Sequence, residues 1–198
     1  MDLSLYEHLN GFTARHDWFE DPLRFFAVDA QILFVVALAA LFLARGKYRS
    51  RNGRHGVVAA GLSAGLALLV AHAIGSVWDR PRPYEAHPGD AHLLLSPSPD
   101  PSFPSDHATA AFAIAGAIGL RHRKAGILTL ALAILVSVAR VAMGTHYPSD
   151  VLGGAALGAL AALVFWLPPV RPALHAVAEK LGQLYERLIP MPRRQSSI

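Results

Sequence analysis

Long apolar runs alternate with short polar clusters along this chain. Gly56 to Trp78 and Val151 to Val170 contain no Asp, Glu, Lys or Arg, and each reaches the ~20 residues a helix needs to cross a bilayer. A third run, Phe25 to Ala44, is interrupted among ionised groups only by Asp29. Two shorter runs, Ala108 to Leu120 and Ala125 to Ala139, flank the basic segment Arg121-His122-Arg123-Lys124. Alone, those two match buried helices of a soluble protein, but two full-length spans in so short a chain point to the membrane. The pattern predicts an all-α, polytopic membrane helical bundle with about five to six transmembrane helices, five of them visible as apolar runs.

Residues 1–24 lack an uncharged apolar core, so no cleavable signal peptide is expected there. Leu5, Leu9 and Phe12 lie at helical spacing beside Tyr6 and Trp18. That predicts a helix lying in the membrane interface, with a solvated terminus as the alternative. The segment Pro172 to Leu188 reads the same way, as an interfacial helix or a plain basic end. The domain reading is one membrane-embedded unit over residues 1–198, with an N-terminal interfacial segment 1–24, an active-site loop 79–106 and a basic tail 171–198. Gly61/Gly65 and Gly154/Gly158 are spaced for close helix approach in lipid. Asp79 to Pro104 carries seven of the 14 prolines, which predicts a stiff lid, because proline fixes φ and reduces the entropy lost on ordering.

Composition sharpens this picture. Hydrophobic residues make up 53% of the 198, mean hydropathy is +0.35, and 16% are charged, against ~25% in soluble domains. Absence of cysteine excludes disulfides and thiolate metal sites. Net charge is +4 with a pI of about 9.8, but the positions of those charges carry the meaning. With five spans, one side receives the loop from Arg45 to His55, the loop from Arg121 to Lys124 and the tail, which together hold thirteen of the 18 Lys and Arg residues. Arg15, Arg24, Arg80, Arg82 and Arg140 fall on the other side. The positive-inside rule then makes the first side, with the C-terminus, cytoplasmic and the second extracytoplasmic. The basic surplus is a topology signal with some affinity for anionic lipid, not a nucleic-acid groove.

Three clusters at the extracytoplasmic ends of the runs carry the candidate chemistry. Arg80 and Arg82, each followed by proline, stand just past the second run; two planar guanidinium forks suit a substrate with two phosphate groups. Ser105, Asp106 and His107 open the third run. Ser105 is a good N-cap, the free amides of the first turn form an anion site, and His107 is placed to protonate a departing oxygen. Asp106 belongs to the same phosphate-binding turn as a cap or a partner for a neighbouring arginine. Arg140 closes the fourth run, and the turn through His146 leads to Asp150, with Ser149 or Asp150 expected as the next N-cap. A carboxylate on one imidazole nitrogen leaves the other free to attack, while Arg140 grips phosphate oxygens in pairs. The charge-free cores of the third and fourth runs span only 13 and 15 residues, so His107 and Arg140 are expected below the bilayer surface, in a pocket that a lipid phosphate reaches from the membrane. Each cluster alone is also what a capped helix end or an interfacial arginine looks like.

Their combination resembles the type 2 phosphatidic acid phosphatase superfamily. That family's pattern is a lysine, six residues and Arg-Pro; then Pro-Ser-Gly-His; then Ser-Arg, five residues, His, three residues and Asp. Arg82-Pro83, Pro104-Ser105 with His107, and Arg140 with His146 and Asp150 match in order and spacing. Three positions depart from it: Gly75 stands for the lysine, Asp106 for the glycine and Ala139 for the serine. The Pro-Arg-Pro and Phe-Pro-Ser-Asp-His-Ala segments, with the opening Leu5 to Phe12, are similar to the bacitracin-resistance branch of bacterial undecaprenyl pyrophosphate phosphatases. The resemblance implies a phosphatase that needs no metal or other cofactor. In it His146 is the nucleophile, Asp150 stabilises the phosphohistidine, His107 is the acid and base, and Arg82, Arg140 and Ser105 hold phosphate oxygens, with Arg80 as a candidate replacement for the lysine. It implies a polyprenyl diphosphate substrate presented by the bilayer, outside the cytoplasm. Phosphatidate or phosphatidylglycerophosphate hydrolysis and phosphoryl transfer to another acceptor remain alternatives within the family, and a membrane scaffold remains one outside it. Asp29 is a candidate partner for an arginine, and His72 is expected to be a packing residue.

Overall fold

The computed structural model describes residues 2–43 and 51–188. Arg45, Lys47, Arg49, Arg193 and Arg194, which contribute to the charge asymmetry, lie outside the described residues. The elements are α1 (Asp2–Thr13), α2 (Asp17–Val28), α3 (Ala30–Leu43), α4 (Arg51–Val77), α5 (Pro83–Ala86), α6 (Asp106–Gly119), α7 (Arg123–Ala142), α8 (Pro148–Val164) and α9 (Arg171–Leu188). No strand occurs among the described residues.

Residue size is distributed as a lipid-facing bundle requires. The buried core is built largely of alanine, including Ala59, Ala60, Ala67, Ala111, Ala115, Ala117, Ala133 and Ala162. Large aliphatic side chains such as Ile32, Val35, Leu69, Leu128, Leu152 and Leu160 face outward. Water would penalise that outer surface, whereas lipid does not; within lipid, small residues let helices approach and gain packing. The molecule is an all-helical, multi-pass membrane bundle.

The short helix α6 is its axis, packed against α4, α7 and α8. Gly154 and Gly158 supply the α8 side of that contact. A Cβ on Gly154 would stand 2.7 Å from the Ser105 carbonyl oxygen, and one on Gly158 would lie 2.6 Å from the Ala113 nitrogen. Both clashes are with backbone, so only glycine permits this approach. Gly61 and Gly65, read from sequence as a second such pair, have nothing within 4 Å of an added Cβ; their spacing serves no helix contact among the described residues.

The spans differ from the apolar runs in instructive ways. Arg54–Val77 and Arg123–Ala142 are each long and apolar enough to cross alone. The first expected span is instead the pair Asp17–Val28 and Ala30–Phe42, bent by 50° at Asp29. Asp29 is exposed at that break and forms no ion pair or side-chain hydrogen bond with an arginine among the described residues. Both α6, with 14 residues, and α8, with 17, fall short of the ~20 of a straight span. Of the N-terminal segment, α1 is a two-faced helix. Leu5 and Phe12 face outward, while Tyr6 and Asn10 are buried against the rest of the protein. The tail is helical over Arg171–Leu188 and packs on α4.

Asn10 also anchors the proline-rich loop. Its side-chain amide donates to the carbonyls of His92 (2.7 Å) and Ala142 (2.9 Å), and its carbonyl accepts from the His92 N–H (2.8 Å). Arg24 donates to the Leu94 carbonyl (2.8 Å), and Leu94 N–H reaches Met143 (3.2 Å). Loop residues 80–105 are thereby tied to α1, α2 and α7 at several points.

Candidate active site

The loop, the C-terminal ends of α4 and α7 and the N-terminal end of α6 enclose a cleft lined by His72, Gly75, Arg82, Asp100, Asp106, His107, Arg140 and His146, among others. Local sequence explains how each group gets there. At the end of α7, Gly144 adopts φ +85°, a conformation in which a Cβ is strained. Gly144 N–H bonds to Val141 (3.0 Å) and Thr145 N–H to Arg140 (3.2 Å). This is a Schellman cap, which satisfies carbonyls left open by the helix end. The chain then turns through His146 and enters α8 with Pro148 at a position where no N–H is needed. The N-cap is Tyr147, not Ser149 or Asp150; Asp150 occupies the third helical position and accepts from the Tyr147 N–H at 2.8 Å. Proline at 148 fixes the start of the helix, which places the carboxylate inside the first turn.

His146 is oriented differently from the sequence expectation. Its Nδ1 lies 2.8 Å from the Ser102 carbonyl oxygen and 3.7 Å from Asp150 Oδ2. Only the first is a hydrogen bond. A carbonyl can only accept, so Nδ1 carries the proton and Nε2 presents a lone pair. Asp150 acts one step back, with Oδ2 accepting from Ser102 Oγ at 2.6 Å. Burial pushes the His146 pKa down to about 4; the charges of Arg140 and Arg82 add to this, and Asp150 opposes it. At neutral pH the ring is uncharged.

His146 Nε2 lies between two guanidinium groups, 3.4 Å from Arg82 Nη1 and 3.4 Å from Arg140 Nη2. Arg82 is 4% exposed and Arg140 8%. Arg82 also donates to the Asp100 carbonyl (2.8 Å) and the Thr145 carbonyl (3.1 Å), and Arg140 to the Ala27 carbonyl (3.2 Å). No carboxylate among the described residues pairs with either guanidinium within 4.0 Å. Two buried cations facing one lone pair, with no carboxylate in contact with either, make an anion site. Ser105 is the N-cap of α6 as expected, but its hydroxyl makes no capping bond and is buried without a hydrogen-bond partner; Arg140 Nε is likewise unpaired. Both are buried donors beside the cleft whose hydrogen bonds the protein does not fill.

Five of the eight predicted site residues, namely Arg82, Asp106, His107, Arg140 and His146, line the cleft, and Ser105 stands between two lining residues, Pro104 and Asp106. Asp106 lines the cleft, exposed, and its carboxylate neither caps α6 nor holds an arginine among the described residues. Asp150 lies just behind His146. Arg80 is the exception. Its guanidinium bonds to Asp150 Oδ1 (2.6 Å), Ser149 Oγ (2.7 Å) and Asp2 Oδ2 (2.9 Å), and it stacks over the Tyr147 ring at 4.3 Å. It is absent from the cleft lining, because two carboxylates on the far side of His146 outcompete the cleft for it. The structure thus places Arg80 beside Asp2 and Asp150 and not in the cleft.

Two participants escaped the sequence reading. Ser102 bridges Asp150 and His146 through a hydroxyl and a backbone carbonyl, and a backbone acceptor leaves no mark in a sequence. His72 was expected to pack, yet it is exposed and lines the cleft. The available signal was its spacing: it lies three residues before Gly75, on the same face of α4. Among the described residues, no group of three or more His, Cys, Asp or Glu side chains is arranged to hold a metal ion.

Comparison with known proteins agrees with this geometry. The model of the PAP2 superfamily matches residues 56–171, the stretch that contains every cleft side chain named above. The bacitracin transport permease protein BcrC of Bacillus licheniformis is 31% identical over 178 residues, covering 89% of this chain and 85% of that protein. The undecaprenyl-diphosphatase BcrC of Bacillus subtilis is 29% identical over 198 residues, covering 99% and 100%. Among solved structures, Aquifex aeolicus LpxE aligns with a TM-score of 0.62 and 27% identity over 82% of this chain and 93% of its own. A transmembrane PAP2-type phosphatidylglycerolphosphate phosphatase of Bacillus subtilis aligns with 0.58 and 25% over 82% and 83%. The spacing of Arg82, His107, Arg140, His146 and Asp150, the convergence of the first four on one cleft with Asp150 behind them, and the family match lead to one statement: the chain belongs to the PAP2 superfamily and is a membrane phosphatase.

Proposed function

We propose that this protein hydrolyses a polyprenyl diphosphate, undecaprenyl diphosphate in particular, to the monophosphate and inorganic phosphate. The reaction takes place on the extracytoplasmic face and recycles the lipid carrier of cell-wall synthesis. The observation that carries this reading is the pair of buried, unpaired guanidiniums 3.4 Å on either side of His146 Nε2. The near-full-length similarity to an undecaprenyl-diphosphatase supports the choice of substrate. The surplus of Lys and Arg at the opposite end supports the sidedness, with the C-terminus in the cytoplasm.

The terminal phosphate enters between Arg82 and Arg140, with Ser105 Oγ and the first-turn amides of α6 as further donors. His146 Nε2 attacks phosphorus, and the bond to the bridging oxygen breaks. His107, facing the same cleft from α6, takes up a proton as the bound anionic phosphates offset the charges of Arg82 and Arg140, and as the imidazolium gives that proton to the departing monophosphate oxygen. The imidazole, now phosphorylated at Nε2 and still holding its Nδ1 proton on Ser102, is cationic, and Asp150 offsets that charge. His107 then takes a proton from water, which attacks phosphorus and breaks the P–N bond. Charge on the equatorial oxygens is met by donors already in place, the largest single source of rate in reactions of this type. No metal takes part in these steps.

Purified protein in detergent, assayed with excess chelator against polyprenyl diphosphate, phosphatidate and phosphatidylglycerophosphate, tests this reading. The expected result is highest kcat/KM for the diphosphate. A preference for either monoester instead selects the second reading, favoured by the phosphatidylglycerolphosphate phosphatase among the structural neighbours. Loss of activity in chelator contradicts the mechanism. Phosphate appearing on an added lipid acceptor, not in solution, would assign phosphoryl transfer.

A further inference from the structure

Asp150 is completely buried, and a buried carboxylate must be held by more than one neighbour. One of its oxygens is occupied by Ser102 and Tyr147, the residues that set the carbonyl and the backbone beside His146. The other is taken by Arg80. Arg80 is in turn held by Asp2, at the beginning of α1 and 148 residues away from Asp150 along the chain. Asp2 Oδ2 accepts from Arg80 Nη2 (2.9 Å) and from the Ser149 hydroxyl, and its Oδ1 accepts from the Ser149 N–H (2.9 Å). One carboxylate thus grips both the guanidinium and the first turn of α8. Burial acts to raise the Asp2 pKa, but the bonds from Ser149 and Arg80 outweigh it and hold Asp2 below its ordinary value. The stacking of Arg80 on Tyr147 fixes the plane of the fork.

We infer that Asp2 and Arg80 are positioning residues for catalysis. They form a clamp, delivered by the N-terminal helix, that aims Asp150 at Ser102 and through it sets the tautomer and direction of His146. Arg80 stands on the opposite side of this layer from the cleft and does not touch the substrate phosphate. The charges also fit: one guanidinium between two carboxylates leaves net negative charge behind the imidazole, where a phosphohistidine cation forms. The inference rests on the histidine mechanism proposed above, but not on the identity of the lipid.

The test uses the full chain in detergent and whichever lipid phosphate the wild type turns over best. Because the clamp does not contact substrate, Arg80→Gln is expected to lower kcat about 10- to 100-fold with KM changed by less than about 3-fold. Arg80→Lys restores part of the loss, since an ammonium reaches one carboxylate but not both. Asp2→Asn lowers kcat about 3- to 10-fold, and the double variant Asp2→Asn/Arg80→Gln is no worse than Arg80→Gln alone, as expected for members of one network. A raised KM with kcat preserved in Arg80→Gln, multiplicative effects in the double variant, or wild-type kcat in Asp2→Asn each overturns the clamp. If Arg80→Gln is not recovered folded, Asp2→Asn, which keeps size and shape, decides by the same kcat criterion. His146→Ala is the control: turnover surviving there overturns the histidine mechanism. Loss there beside a wild-type Asp2→Asn overturns the clamp only.

Discussion

Arg80 and Arg82 leave the end of α4 only two residues apart, yet they finish in opposite electrostatic settings. Arg80 lies between Asp2 and Asp150, with its charge fully answered. Arg82, more deeply buried, faces Arg140 across His146 with only carbonyls for company. A buried cation that is paired costs little and holds its neighbours in place; one left unpaired is expensive unless an anion comes. The layer of Ser102, His146 and Asp150 divides these two regions. Behind it the protein has paired arginine with its own carboxylates; in front of it, among the described residues, no carboxylate is in contact with the guanidinium of Arg82 or Arg140, although Asp106 lines the cleft. The difference separates residues that hold the catalytic group from residues that hold the substrate, although the sequence presents them as a single Arg-Pro-Arg-Pro motif.

Substitutions that cut into this division should produce effects graded by distance from phosphorus. The largest belongs to His146→Ala, expected to lower kcat/KM by about 10³-fold or more, since no second nucleophile stands between the arginines. Arg140→Gln and Arg82→Gln come next, with losses of about 10²- to 10³-fold, the scale of removing a preorganised donor from developing charge. Here, unlike at Arg80, both kcat and KM should suffer, and a change confined to kcat would erase the contrast. A third prediction concerns pH. With His146 pushed down to about 4, the imidazole stays neutral and nucleophilic above that value and is protonated below it. The enzyme's acid limb in kcat/KM is therefore expected at about pH 4, and a limb at the ordinary histidine pKa of about 6.5 would mean that burial, with the flanking guanidiniums, does not act on it. The smallest effect is expected at the cleft edge, where His72→Ala should raise KM about 3-fold with kcat nearly unchanged. His72→Lys should lower KM, because it restores an ammonium near the position left by Gly75.

Much of this was legible in the chain itself. The spacing of Arg140, His146 and Asp150 survives because one helix end, one turn and one helix start are local structures, written in Gly144 and Pro148. The gathering of these residues with Arg82 and His107 followed from apolar run lengths, which put all their ends on one side of a bilayer. What the sequence concealed was either long-range or made by backbone. The contact of Asp2 with Arg80 crosses 78 positions, and nothing in either segment announces it. The Ser102 carbonyl replaces the expected carboxylate on His146 because a peptide group can do the same work without a distinctive side chain. The bend at Asp29 was hidden within an otherwise apolar run. Gly61 and Gly65 carried the spacing of a helix contact without making one, which shows how little a glycine pair says until a partner surface is known. His72 was misjudged because its neighbours on α4 are apolar, although its turn of the helix reaches the cleft.

The central claim is that His146 becomes covalently phosphorylated. It is tested most directly by the stereochemical course at phosphorus, using a polyprenyl diphosphate analogue whose terminal phosphorus is made chiral with sulfur and heavy-oxygen isotopes. Attack by His146 and then by water inverts the centre twice, so the account predicts net retention of configuration in the released thiophosphate. Net inversion would mean that water attacks phosphorus in a single step, and would contradict it.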